Sequence, residues 1–338
     1  MAVTKTVVIG GSGYLGRYIV DRLLEAGHKV TVLTRSATRS QSLWGRRVST
    51  VVDDLETMAP ADFRKLFRTQ QNLVFAAGVD ERVPPEGDPL AFYCYENVTR
   101  VQPIFEAAAD AGIERVVLMN SIFSTLDRLH PEIGLAQHHP YIQSRVEQRD
   151  MALAVARRRF VMTVLEIPWV FGDTRGGESQ WAPLVQFART SPRLFVPRGG
   201  TVAISVRNVA EATLGALTLP RRSSAVPVGD VWLSWEDLLA TLARCCGRDD
   251  VPVKRIPDRL LVQFNELSGL WQKLFRLRSG LDYGRMHEFL LEDTPVDLKQ
   301  SQRKLGYKPL DISVALAETA NNVPESKSIA AIRRLMSR

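Results

Sequence analysis

Along the first half of the chain, short apolar runs alternate with longer segments whose apolar residues recur at helical spacing. The runs are Thr6–Ile9, Val30–Leu33, Val48–Val52, Leu73–Ala77, Val116–Met119 and Met162–Leu165. They are nearly continuous in apolar residues, as strands covered on both faces must be. The segments between them, Tyr14–Ala26, Pro60–Phe67, Asn97–Ala111 and Pro140–Val155, read as helices. Strand, helix, strand in series predicts an α/β fold, a Rossmann doubly wound parallel sheet with helices on both faces. Ligand contacts in such a sheet fall at the C-terminal ends of the strands.

Beyond Ile167 the alternation weakens and Gly and Pro become frequent. Helical spacing returns at Val206–Leu217, Ser234–Cys245 and Asp258–Leu277. The expected division is a Rossmann domain over residues 1–167, with 201–220 returning to it, and a smaller C-terminal lobe over 168–338 that binds substrate. Within that lobe Leu260, Leu261, Phe264, Leu267, Leu270, Trp271, Leu274 and Phe275 form a stripe. A stripe of this kind is expected to face the core, and any edge of it lining the cleft would mark an apolar substrate. The lobe also carries Trp169, Phe171, Trp181, Phe187, Phe195 and Phe275.

The first strand runs straight into a glycine turn and a helix: Val7-Val8-Ile9-Gly10-Gly11-Ser12-Gly13-Tyr14-Leu15-Gly16. The first glycine of such a motif permits a tight turn. The second lets backbone approach a pyrophosphate, and the third lets helix and strand pack closely. The helix N-terminus then presents free N–H groups and the positive end of its dipole to phosphate. Gly10, Ser12, Gly13, Tyr14, Leu15 and Gly16 are therefore expected to hold a dinucleotide.

The end of the second strand selects between dinucleotides. NAD needs a carboxylate there, about 20 residues on, to accept from the ribose 2′-OH. Here the strand ends Val32-Leu33-Thr34-Arg35, with Thr34 in the acid's place. A guanidinium at Arg35 suits a 2′-phosphate, with Ser36 and Arg39 near enough to help. The expected cofactor is NADP(H). In Asp53-Asp54-Leu55, Asp54 is expected to accept from the adenine amino group beside Leu55; a helix-capping role for either aspartate is the alternative.

The net charge of +7 over 338 residues admits an acidic ligand, nucleic acid or a membrane surface. The basic residues are scattered apart from small clusters at Arg157–Arg159 and Arg221–Arg222, without the aromatic-interleaved stripe of a nucleic-acid site. Cys94, Cys245 and Cys246 give neither a disulfide framework nor metal spacing, which fits a reducing, cytoplasmic setting. No run is long enough to span a membrane, and Met1–Ile9 leads into a strand rather than a signal peptide. A homodimer is the oligomer to look for.

Further motifs carry a resemblance. The fifth strand reads Arg115-Val116-Val117-Leu118-Met119-Asn120-Ser121, and His139-Pro140-Tyr141-Ile142-Gln143-Ser144-Arg145 opens a later helix. Ala76-Ala77-Gly78 follows the fourth strand, and Asn97 lies on the fourth helix. Glu166-Ile167-Pro168-Trp169-Val170-Phe171-Gly172 is similar to an R-P-x-x-V-Y-G segment with Glu166 in place of Arg. Asp297 and Leu305-Gly306-Tyr307-Lys308-Pro309 complete the pattern near the end. Over nearly its whole length the chain resembles the extended short-chain dehydrogenase/reductases, in the branch of dihydroflavonol reductases and 3β-hydroxysteroid dehydrogenases. The resemblance implies that Tyr141 is the general acid/base and that Ser121 binds the substrate oxygen. It also implies that Arg145 stands where the family has the lysine that holds the nicotinamide ribose. Ala76, Ala77, Gly78, Pro168 and Val170 would join Tyr141 and Arg145 around the cofactor. Arg145 sits one turn beyond Tyr141 on the same helix face; as a permanent cation it can favour tyrosinate but cannot relay a proton.

The expected activity is that of an NADP(H)-dependent ketoreductase or dehydrogenase acting on a polycyclic, polyketide, terpenoid or aromatic small molecule. Two alternatives stand beside it. One is a non-catalytic NADP-binding sensor or regulatory protein, which the Arg145 replacement favours. The other is a nucleotide-sugar epimerase or dehydratase. Against the latter, no carboxylate follows Ser121 until Asp127.

Overall fold

The computed structural model describes residues 3–220 and 222–324. Arg221, one half of the Arg221–Arg222 cluster, lies outside them. Twelve strands are formed among the described residues: β1 (Lys5–Ile9), β2 (Lys29–Thr34), β3 (Ser49–Val52), β4 (Asn72–Phe75), β5 (Arg115–Ser121), β6 (Val161–Ile167), β7 (Trp169–Phe171), β8 (Leu194–Val196), β9 (Gly200–Ser205), β10 (Ser224–Pro227), β11 (Val231–Ser234) and β12 (Val253–Arg255). Seven of them make one sheet in the order β10-β6-β5-β4-β1-β2-β3, with every pair parallel.

Side chains alternate across the pleat, and both sets are apolar, so each face needs helices. Val8, Val32, Val74 and Val117 point to one face and pack with the helices Tyr14–Glu25 and Val206–Ala216. Val7, Ile9, Leu33, Leu73, Phe75, Val116 and Leu118 point to the other. They meet Phe63 and Phe67 of the helix Pro60–Phe67, Ile104 and Phe105 of Gln102–Asp110, and Ala152 and Ala156 of Pro140–Ala156.

The chain winds outward from β1 to β3, then returns to lay β4 on the other side of β1. The register sets Ile9 beside both Leu33 and Phe75. Gly10, Thr34 and Ala76 therefore leave the C-terminal ends of three neighbouring strands together, at the point where the winding reverses and α/β sheets bind ligands.

A second sheet, β11-β9-β7, and the pair β12-β8 belong to the later part of the chain. They pack with the helices Ala182–Thr190, Trp235–Cys245 and Ile312–Asn321 around Phe171, Trp235 and Leu316. Cys245 and Cys246 flank this core. Near the end, Asp297 caps the helix Leu298–Leu305 and Gly306 closes it. Leu305 and Tyr307 then join the core of the large sheet.

Three readings of the sequence need correction. Strand β4 ends at Phe75, so Ala77 lies in the turn beyond it. The helix expected over Asn97–Ala111 is a widened turn at Tyr95–Thr99 followed by the helix Gln102–Asp110. Pro103, which has no N–H to give, sits where the regular helix restarts. The third is the stripe in the helix Asp258–Leu274: Leu261 is buried, but Leu260, Phe264, Leu267, Leu270, Trp271, Leu274 and Phe275 are exposed among the described residues. The side turned to the protein carries Asn265 and Gly269 instead.

Candidate active site

A cleft of about 530 Å³ opens over the strand ends. Gly10, Ser12 and Gly13 form one wall, Thr34, Arg35, Ser36 and Arg39 another, Asp53 to Glu56 a third, and Ala76 to Val79 the floor. Gly10 has φ +80, and a Cβ there would lie 2.7 Å from the Ala76 carbonyl. A Cβ on Gly16 would stand 2.1 Å from the Gly10 carbonyl oxygen. The turn is thus folded as tightly as bare backbone allows. No side chain caps the helix Tyr14–Glu25, so its first N–H groups are left for an anion. Of the other residues expected here, Tyr14, Leu15 and Gly16 carry the turn into the helix behind the cleft wall rather than lining it.

Thr34 is buried, its hydroxyl 3.1 Å from that of Ser12. Arg35 and Arg39 are exposed on the rim, and neither has an ion-pair partner among the described residues. Ser36 caps the helix Ala37–Trp44. Asp53 accepts from the Asp54 amide and Asp54 from the Glu56 amide, at 2.8 and 3.0 Å. Both aspartates therefore shape the turn as well as facing the cleft.

The residues expected to do chemistry, Ser121, Tyr141 and Arg145, do not line this cleft but lie beside its floor, where a Cβ on Gly78 would stand 3.6 Å from Arg145 Nη1. Tyr141 is buried at the start of the helix Pro140–Ala156. Tyr93 and Phe123 meet its ring edge-on at 5.6 and 6.2 Å, and Phe289 packs 5.2 Å from Phe123. Burial pushes the Tyr141 hydroxyl well above the usual phenol range. The Arg145 cation and the Ser121 hydroxyl pull it down, and Glu81 and Asp80 push it up. Ser121, the last residue of β5, also accepts from the Phe123 amide at 3.3 Å.

Arg145 is buried with its guanidinium 5.9 Å from the centre of the Tyr141 ring. It donates to the Met119 carbonyl at 2.8 Å and to Asn97 Oδ1 at 3.5 Å. Its Nε is buried with no partner, an unmet donor that a ligand hydroxyl could satisfy. Pro168 and Val170 lie at the β6–β7 junction near Ser121, whose register partner is Ile167. The Val170 carbonyl already accepts from Trp181 Nε1 at 2.6 Å.

Several site residues escaped the sequence reading. Asn97, quoted there only as part of a motif, is fully buried and reaches Ser144 Oγ at 3.2 Å as well as Arg145. The run Asp80-Glu81-Arg82 comes directly after the Gly78 turn, which was its only signal. Asp80 and Arg82 form an ion pair, and the Arg82 guanidinium lies 5.9 Å from the Trp181 ring. Burial raises the Glu81 carboxyl above the usual range. Glu166, which stands where the related motif has Arg, is fully buried. It takes hydrogen bonds from Thr125 at 2.6 Å and from Arg128 at 3.1 and 3.0 Å.

The sequence profile of the NAD dependent epimerase/dehydratase family matches residues 6–226, from β1 through β10. The chain belongs to this family. As a family member it is an oxidoreductase or epimerase of the extended short-chain dehydrogenase/reductase superfamily, whose cofactor is a nicotinamide dinucleotide. A Synechocystis protein with a provisional dihydroflavonol 4-reductase name is 27% identical over 259 residues, covering 71% of this chain and 72% of that protein. A Stigmatella aurantiaca protein is named 4-hydroxy-2-methyl-3-oxo-4-farnesyl-3,4-dihydroquinoline-1-oxide ketoreductase. It is 26% identical over 243 residues, covering 68% of this chain and 67% of that one. Among solved structures, gox2253 superposes with a TM-score of 0.73 at 17% identity, covering 97% of this chain and 98% of that one. The Bacillus cereus UDP-glucuronic acid 4-epimerase, solved with UDP-glucuronic acid and NAD, gives 0.66 at 14% identity, covering 94% and 98%. At those identities the structures speak for the fold.

Proposed function

We propose that this family member is an NADP(H)-dependent oxidoreductase that reduces the carbonyl, or oxidises the alcohol, of an apolar small molecule. The observation that carries the reading is the grouping of Ser121, Tyr141 and Arg145, with Arg145 against Gly78 in the floor of a cleft whose far rim bears Arg35 and Arg39.

The tight glycine turn, the uncapped helix and the unmet Arg145 Nε fit a bound dinucleotide phosphate. Gly10, Ser12 and Gly13, with the helix start formed by Tyr14, Leu15 and Gly16, would hold the pyrophosphate. Arg35 and Arg39 would take the 2′-phosphate, and Asp54 and Leu55 would meet the adenine. Ala76, Ala77 and Gly78 would run beneath it, Arg145 would donate to the nicotinamide ribose, and Pro168 and Val170 would close that end. With NADPH held by these residues, hydride for a carbonyl carbon would come from the cofactor.

Ser121 and Tyr141 converge on the place of the carbonyl oxygen. The Ser121 hydroxyl donates to the oxygen as it gains charge, and the Tyr141 hydroxyl gives it the proton. Burial keeps that proton on Tyr141 until charge develops. The Arg145 cation then steadies the tyrosinate left behind, with Asn97 and the Met119 carbonyl fixing the guanidinium. Arg145 cannot give up a proton, so Tyr141 must be recharged by another route.

Tyr93, Phe123, Phe289 and Leu281 surround Tyr141 with apolar surface, which favours an apolar substrate held by residues 168–338. The Stigmatella ketoreductase, whose named substrate carries a farnesyl chain, points the same way. A second reading, an NADP-binding sensor, is favoured by the guanidinium in the lysine's place. The deciding experiment monitors NADPH oxidation with a panel of apolar ketones and aldehydes: turnover of at least one establishes the reductase. Tight NADPH binding without turnover of any establishes the sensor.

A further inference from the structure

The helix Asp258–Leu274 is built inside out. At 100° per residue, Phe264, Leu267, Leu270, Trp271 and Leu274 fall on one side, and Phe275 continues it just past the helix end. That side faces outward among the described residues: Phe264, Leu270 and Leu274 are 65%, 63% and 75% exposed. The inward side buries Leu261, Asn265 and Gly269, only one of them a large apolar residue. Single exposed apolar residues are common, but a contiguous array with an aromatic pair, Trp271 stacked on Phe275 at 4.9 Å, marks a surface that is covered in use.

The charges around this face indicate what covers it. Arg259, Lys273, Arg276 and Arg278 border it, all exposed, and none pairs with a carboxylate among the described residues. Glu266 is the only acid between Arg259 and Arg278. Unpaired cations beside Trp, Phe and Leu suit an anionic lipid surface, where the rings enter the interface and the cations meet phosphate. A second copy of the chain would set these cations against their own kind, which costs free energy. No helix among the described residues is long and apolar enough to cross a membrane, so the helix would lie in the interfacial plane.

We propose that this face docks the protein on an anionic phospholipid membrane. The helix is tied to the site: Gln272 bonds the Leu281 carbonyl at 3.1 Å and the Tyr283 amide at 2.8 Å. Between those residues and the helix, the Gly280 carbonyl accepts from the Tyr141 amide at 2.9 Å. Docking thus brings the cleft's catalytic end beside the bilayer, where an apolar substrate dissolves. The proposal goes beyond the redox reading, and its test involves no turnover, so the two fail separately.

The test is flotation of the full chain with vesicles of phosphatidylcholine alone or mixed with phosphatidylglycerol. The protein should float with the mixed vesicles and stay in solution with phosphatidylcholine alone. Phe264→Ser/Trp271→Ser should weaken partition about 100-fold, roughly tenfold per large apolar side chain. Arg276→Gln/Arg278→Gln should weaken it roughly 25-fold at low salt, about fivefold per cation removed. Far-UV circular dichroism and melting of both variants should match the parent, because all four positions are exposed. Failure to float with mixed vesicles, or equal flotation of parent and both variants, overturns the proposal. So does a parent that is dimeric by light scattering and becomes monomeric in Phe264→Ser/Trp271→Ser without any vesicle binding, since a second copy would then be the occupant.

Discussion

Replacing Arg35 by alanine should separate the two dinucleotides. The guanidinium comes after the buried Thr34 at the end of β2 and stands exposed on the cleft rim without an ion-pair partner among the described residues. No described carboxylate competes for it, so removing it should cost NADPH one charge-assisted hydrogen bond, about 1.5–3 kcal/mol. That is a factor of roughly 10–150 in Kd. Arg39 lines the same rim and can partly replace it. The single variant should therefore fall at the low end and Arg35→Ala/Arg39→Ala at the high end. NADH has no 2′-phosphate to lose, and its affinity should stay about the same. Titration of each cofactor against the quenching of protein fluorescence measures both constants. Added salt should shrink the NADPH difference, because an exposed charge pair is screened. Equal losses for NADPH and NADH would refute the assignment, as would unchanged NADPH affinity in the double variant.

Two further predictions concern stability. Arg128→Ala should leave the Glu166 carboxylate buried with only Thr125 as donor and lower stability by about 3 kcal/mol, the low end for breaking a buried pair because Arg128 is half exposed. Denaturant unfolding measures this, and Glu166→Gln added to Arg128→Ala should recover part of it; a change under about 0.5 kcal/mol would place the pair among ordinary surface contacts. His139 is buried, accepts from the Asp282 amide at 3.0 Å, and has its pKa pushed down to about 4, chiefly by burial. Below its ordinary pKa near 6.5 the unfolded chain takes up a proton that the native state refuses. Stability should therefore fall as pH drops from about 6.5 to 4, by about 1.4 kcal/mol per unit and roughly 3 kcal/mol in all. His139→Asn keeps an acceptor and should flatten that share of the slope in urea titrations across the window. An unchanged slope would show that His139 takes up its proton in the native protein over the same pH range as in the unfolded chain.

The large sheet was legible because its strands are apolar on both faces and each ends in a turn residue with a chemical reason to be there. Gly10 and Thr34 mark the ends of β1 and β2 in the sequence as plainly as in the structure. Glu166 and Arg145 stood out in the sequence as departures from the pattern it resembles, but what they touch was not visible there. The partner of Glu166 is Arg128 on another element, and Arg145 is anchored by Asn97 and Met119, distant in sequence. The apolar surroundings of Tyr141 were hidden for the same reason, since Tyr93, Phe123 and Phe289 come from three separate segments. The residues that drew attention, Trp169, Phe171 and Trp181, pack against one another in the core of the later part of the chain. The stripe from Leu260 to Phe275 shows the limit of periodicity. Spacing reveals that a helix has an apolar face, and only the packed fold reveals which way that face is turned.

Whether Tyr141 is the proton donor of a working reductase is decided by one substitution. With the best carbonyl from the panel at saturating NADPH, Tyr141→Phe keeps the ring between Tyr93 and Phe123 and removes only the hydroxyl. Its turnover number should fall roughly 10²–10⁴-fold, the worth of a general acid, with NADPH affinity nearly intact. Arg145→Lys, measured beside it, should keep or raise turnover, since an ammonium preserves the cation near Tyr141 and can also pass a proton. A Tyr141→Phe enzyme that turns over as fast as the parent would exclude Tyr141 as the proton donor.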